Sequence, residues 1–149
     1  MVLAERLSED LKQAMKEKDK LRLSVIRMVR AAIKNAEIEK RRPLNEDEII
    51  DVLSRELKQR QESLQEFEKA GRQDLSEQVQ QEIQILRQYL PEPLDDQALQ
   101  ELVKEAIQAV GAISKRDLGK VMSYLMPKVK GRADGKKVNQ MVQQQLNQE

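Results

Sequence analysis

The sequence predicts an all-α protein: an N-terminal bundle of about four helices in long hairpins, then a small three-helix bundle. Three observations predict it. Apolar residues recur at three- and four-residue intervals along most of the chain and nowhere alternate over a strand's length. Phe67, Tyr89 and Tyr124 are the only aromatics, so the core must be built from Leu, Ile, Val, Met and Ala, a palette that favours helices. Polar capping signals and proline-bearing links separate the periodic stretches.

Leu3, Leu7, Leu11 and Met15 form a stripe on a first helix, with Ala4 and Ala14 beside them. Lys16–Lys20 is a polar break in which Asp19 can cap a second helix reaching about Lys40. Leu21, Val25, Met28, Ala32 and Ala36 line one face of that helix, widened by Ile26, Val29 and Ile33. Arg41-Arg42-Pro43 stops it, because the residue before proline resists the α region. Asn45 and Glu48 have the spacing of a capping box. The third helix carries Ile49, Val52, Leu53, Leu57, Leu64 and Phe67 inward, with a solvated outer side of mixed sign and Gly71 at its C-terminal end. Asp74 or Ser76 starts a fourth helix, with Leu75, Val79, Ile83, Leu86 and Leu90 inside.

Tyr89-Leu-Pro-Glu-Pro-Leu94 ends that helix and stiffens the link. The domain boundary is placed here, giving an N-terminal helical subdomain over 1–90 and a C-terminal subdomain over 91–149. Asp95 caps a fifth helix with Leu99, Leu102, Val103, Ala106, Ile107 and Val110 as its stripe, ended by Gly111. Ser114, with Asp117 three residues on, starts a sixth carrying Leu118, Val121, Met122 and Leu125, which Pro127 ends. Asp134 caps a seventh with Val138, Met141, Val142 and Leu146, and Gln143–Gln145 reads as its fraying end. A three-helix bundle of under about sixty residues has a marginal core of its own.

The 149 residues contain no Cys and no His. Thiol chemistry, Cys/His zinc sites and histidine general-base catalysis are thereby excluded. No nucleophile elbow, P-loop or dinucleotide fingerprint is present. The carboxylates of Glu46–Glu48 and Asp95-Asp96 stand at helix starts and read as caps, so no metal or cofactor is expected. No run of eighteen apolar residues occurs, and the N-terminus meets charge early for a secretory leader, so a cytoplasmic location is expected.

The net charge is +1, unevenly spread. Residues 1–42 hold 12 Lys/Arg against 7 Asp/Glu, residues 43–113 hold 7 against 16, and residues 114–149 hold 8 against 3. Basic ends around an acidic middle fit polyanion binding by one or both ends, or mutual complementation within the fold. The sharpest basic feature is the set Lys120, Lys128, Lys130, Arg132, Lys136 and Lys137. Backbone N–H groups at the next helix start could add an anion site, and Gly131 and Gly135 could let a phosphate backbone approach. The same residues also read as a solvated loop. With so few aromatics, base stacking cannot drive single-strand binding, so any RNA binding should follow shape and phosphate and depend strongly on salt.

Three segments carry a family resemblance: Arg22-Leu-Ser-Val-Ile-Arg27-Met, Leu53-Ser-Arg-Glu-Leu-Lys-Gln-Arg-Gln-Glu-Ser-Leu64, and Tyr89-Leu-Pro-Glu-Pro-Leu94 with Gly119-Lys-Val-Met122 and Met126-Pro-Lys-Val-Lys-Gly-Arg-Ala-Asp-Gly135. With these the chain resembles the stand-alone YqeY-like proteins of the GatB/YqeY domain family, over essentially its whole length. The related domain is the C-terminal tail of the B subunit of glutamyl/aspartyl-tRNA amidotransferase, which amidates Glu-tRNA(Gln) or Asp-tRNA(Asn) with glutamine as nitrogen donor. The tail holds the tRNA elbow. The resemblance therefore implies a non-catalytic tRNA-binding module whose contact surface is the six cations named above. Carbon–nitrogen ligase activity belongs to the larger enzyme, whose ATP, magnesium and ammonia sites have no counterpart in these residues. Two other readings are a protein–protein adaptor working through the N-terminal helices without RNA, and an accessory subunit completing an amidotransferase site.

Overall fold

The computed structural model describes residues 2–147, and these form helices and short links. In chain order they are α1 (Val2–Glu17), α2 (Lys20–Lys40), α3 (Glu46–Lys69), α4 (Gln73–Arg87), α5 (Asp96–Val110), α6 (Leu118–Val129) and α7 (Gly135–Asn147), with a 3-10 turn, Lys115–Asp117, leading into α6. The fold is all-α. The chain divides into two compact units after Pro91.

In the first unit α1 pairs with α2, α3 pairs with α4, and α2 also packs on both α3 and α4. Leu7, Val25, Ile26, Val29, Leu44, Ile49, Leu53 and Leu86 lie at the centre of its core. The starts of α2 and α3 are locally encoded. The Asp19 carboxylate accepts from Arg22 N at 3.2 Å. Asn45 Oδ1 accepts from Glu48 N at 2.9 Å, and Glu48 Oε1 accepts from Asn45 N at 3.0 Å. Leu44 precedes this capping box and is buried in the same cluster as Ile49, which closes a hydrophobic staple across the helix start. Hydrogen bonds from Arg42 and then Lys40, with the Asn45 N–H behind them, hold the Glu48 carboxyl well below the usual carboxylate range.

The structure corrects several inward assignments. Met15 is 54% exposed, and Ala14 is fully buried in its place. At 100° per residue, a strict four-residue stripe drifts about 40° per step, so Met15 has rotated about 120° from Leu3 while Ala14 has returned to within about 20°. Met28 is 49% exposed at the edge of α2. Helix α4 begins at Gln73, not at Asp74 or Ser76; Arg72 stands at its N-cap without a side-chain bond. The inward face of α3 also carries a charged residue. Arg60 is only 7% exposed, with Nη1 donating to Glu56 Oε1 at 3.1 Å, Nε to Glu82 Oε1 at 3.3 Å and Nη2 to Met28 Sδ at 3.3 Å.

The second unit is a bundle in which α5, α6 and α7 each pack on the other two. Leu99, Val103, Ala106, Val121, Leu125, Val129, Val138 and Val142 fill its centre. Pro127 does not end α6. The helix runs through it to Val129, which is fully buried. Proline in the last turn forgoes one backbone hydrogen bond, and burying a valine offsets that loss. The expected start at Ser114 is a 3-10 turn instead: Ser114 Oγ accepts from Arg116 N at 3.3 Å, and the Asp117 carboxylate accepts from Ile113 N at 2.9 Å. Gln143–Gln145 is not a frayed end. It lies within α7, whose last turn is held by buried Leu146.

Candidate nucleic-acid interface

The six cations singled out in the sequence fall on three consecutive pieces of the second unit. Lys120 and Lys128 lie on α6, Lys130 and Arg132 at its C-terminal end, and Lys136 and Lys137 in the first turn of α7. The link between the helices is short because Gly131 adopts a left-handed conformation (φ 74°), which only glycine takes without strain. Gly135, by contrast, is the first residue of α7, and a side chain there would sit 3.5 Å from Met126 Cε.

The fold gives these cations different degrees of freedom. Lys120 and Lys136 are exposed, and among the described residues neither ammonium has a carboxylate within 4 Å. Lys128 Nζ bonds the Tyr124 hydroxyl at 2.9 Å, lies 4.3 Å from the centre of the same ring, and stands 4.0 Å from Glu105 Oε1 on α5. The hydroxyl contact, aided by the Glu105 charge, raises the Lys128 pKa above the ordinary lysine value. The Tyr124 face is thereby covered by a cation of its own chain. Lys130 is half-buried at the end of α6 and already engaged in polar contact. Arg132 is structural as well as basic. Its Nε donates to the Glu92 carbonyl and its own carbonyl accepts from Leu94 N, both at 2.9 Å, which pins the proline link to its unit. Lys137 pairs with Asp96 on α5.

Two cations that belong to this surface were missed in the sequence. Lys115 and Arg116 are exposed on the 3-10 turn immediately before α6. Arg116, Lys120, Tyr124 and Lys128 fall four residues apart, so they follow one slowly turning face. The spacing was the available signal. The charges of Lys120 and Arg116 also help hold the Asp117 carboxyl below its ordinary range, behind its leading bond from Ile113 N–H.

In the first unit, a groove of about 350 Å³ is lined by Met28, Arg60, Phe67, Leu75 and Val79 among others. Among the described residues no helix is long and apolar enough to cross a membrane.

Comparison with known proteins bears on identity. The family model described as Yqey-like protein matches residues 4–146. A protein of Pyrenophora tritici-repentis named "Altered inheritance of mitochondria protein 41, mitochondrial" is 33% identical over 146 residues, covering 96% of this chain and 80% of that protein. Proteins of the same name from Kluyveromyces lactis and Saccharomyces cerevisiae (strain YJM789) are 45% and 38% identical over 84 and 85 residues, 56% of this chain in each case. Those matches span only 45% and 46% of the two yeast proteins. The cytoplasmic location expected from the sequence does not stand, because these relatives are named as mitochondrial proteins. The expectation rested on missing apolar runs, which bear on membrane spans and secretory leaders but do not distinguish one aqueous compartment from another. The chain belongs to the YqeY-like protein family.

Proposed function

We propose that this protein is a non-catalytic module that binds folded RNA, tRNA in the first instance, through the phosphate backbone. One observation supports the reading above the others: an exposed basic surface runs from Arg116 through Lys120 and Lys128 to Lys136, while the only aromatic beside it, Tyr124, is covered by Lys128. Such a surface attracts phosphates and offers no platform for stacking bases, so it selects by shape. The association with tRNA-dependent amidation rests on the resemblance to the amidotransferase B-subunit tail. In that setting the module holds tRNA, and the larger enzyme does the carbon–nitrogen chemistry.

The test is a titration against bulk tRNA and a plain RNA duplex at two salt concentrations. Lys120→Gln/Lys128→Gln/Lys136→Gln leaves the Arg132 anchor intact. It should weaken tRNA binding and reduce the slope of log affinity against log salt by about 3. A variant that binds with the parent's affinity and slope overturns the assigned surface. The groove around Met28, Phe67 and Leu75 supports a second reading, a protein adaptor working through the first unit. Capture of a partner that survives RNase and depends on the first unit would favour it.

A further inference from the structure

The first unit carries a basic surface that the proposed function leaves unused. The excess of cations in residues 1–42 is concentrated on the solvent face of α2. Arg27, Arg30, Lys34 and Arg41 are all exposed. Arg27, Arg30 and Lys34 on α2 lie within about 60° of one another around its axis at 100° per residue, and Arg41, the left-handed C-cap beyond the helix, stands about 21 Å along the axis from Arg27. None makes an ion pair or side-chain hydrogen bond with another described residue. Of the acids of the same helix, Glu37 borders the stripe, about 20° around the axis from Arg30. Glu37 is half-buried and accepts from Leu44 N at 3.0 Å, and Glu39 lies about 120° around the axis from Arg27.

These exposed cations, at three- and four-residue spacing along α2, repel one another weakly and contribute nothing to the core, which lies on the other side of the helix at Val25 and Val29. We infer that the outer face of α2 is a phosphate-backbone site for double-helical or folded RNA, additional to the surface on α6 and α7. This rests on the RNA-binding reading and extends it to the first unit. Three features favour a polyphosphate over other anions. Three of the four cations are arginines, whose planar forks match phosphate oxygens two at a time. The stripe is several phosphates long, far more than one carboxylate or free phosphate would occupy. Its apolar content is Ala31 and the 66%-exposed Ile38, too little to seat an amphipathic helix or enter a lipid surface.

The experiment uses the full chain and Arg27→Gln/Arg30→Gln/Lys34→Gln, which keeps good helix formers and leaves the left-handed Arg41 cap untouched. Binding to tRNA is measured at ~50 and ~200 mM salt, with circular dichroism to confirm the fold. Each lost phosphate contact reduces the salt slope by ~0.7–0.9, so the parent should lose about 20- to 40-fold more affinity across that range than the variant. Arg27→Lys/Arg30→Lys, which keeps the charge, should retain most of the parent's slope. A glutamine variant with the parent's slope overturns the α2 site alone. An unchanged Lys120/Lys128/Lys136 variant overturns the α6–α7 surface alone, and a parent that binds no RNA overturns both. Poly-L-glutamate competing as well as RNA of equal charge would overturn the phosphate assignment in favour of an acidic protein surface.

Discussion

Arg60 offers the most direct test of how the first unit is held together. Its guanidinium is nearly sealed from solvent between Glu56 and Glu82, whose side chains are 14% and 15% exposed. Two carboxylate contacts at 3.1 and 3.3 Å are each worth about 5 kcal/mol of attraction at an effective dielectric of about 20. Desolvation of three charges offsets most of that, so the triad as a whole adds little net stability. Removing only the arginine is different, because it strands two mostly buried carboxylates. Arg60→Met, which keeps the aliphatic stem, should therefore cost about 3–5 kcal/mol. Adding Glu56→Gln and Glu82→Gln should bring stability back to within about 1–2 kcal/mol of the parent. Urea unfolding followed by circular dichroism gives the energies. Hydrogen exchange should place the loss on α3 and α4 and leave α5–α7 protected as before. A loss under about 1 kcal/mol for Arg60→Met, or no recovery on neutralising both glutamates, would refute the reasoning and make the triad an ordinary surface network.

Two further outcomes are expected. Tyr89 is buried and donates to Asp10; burial first, and that bond second, push its hydroxyl up to about 12. A raised folded-state value means the contribution is complete below the ordinary tyrosine range near 10 and is lost as pH rises from there towards about 12. Stability of the parent should fall across that window, and Tyr89→Phe should lack that part of the fall; identical pH curves for the two proteins would contradict the assignment. Asp96→Asn releases Lys137 from its α5 acid, so RNA affinity should rise and the salt slope should steepen by up to about 1. Equal affinity in parent and variant would mean that Lys137 does not reach phosphate.

The sequence by itself determined the helical class and most helix starts, because these depend on contacts within four residues. Asp19 and the Asn45/Glu48 box could be read directly, since a cap is a bond between a side chain and a backbone group three residues away. The two basic ends were equally legible as composition. Burial beyond the local stripe was decided only in the tertiary structure. The pattern put Met15 inside and left Leu44 unassigned; packing buried Ala14 and Leu44 instead. Pro127 looked like a stop because local sterics disfavour continuing, but the bundle had room for Val129 in its core and α6 continued. Arg60 went unremarked in the sequence, because its partner Glu82 comes from α4, twenty-two residues away. The candidate surface divides in the same way. Which residues are cations is written in the chain, but which of them are already held by Asp96, Glu105, Tyr124 or the Glu92 carbonyl depends on groups far apart in sequence. Only folding brings those groups within hydrogen-bonding reach.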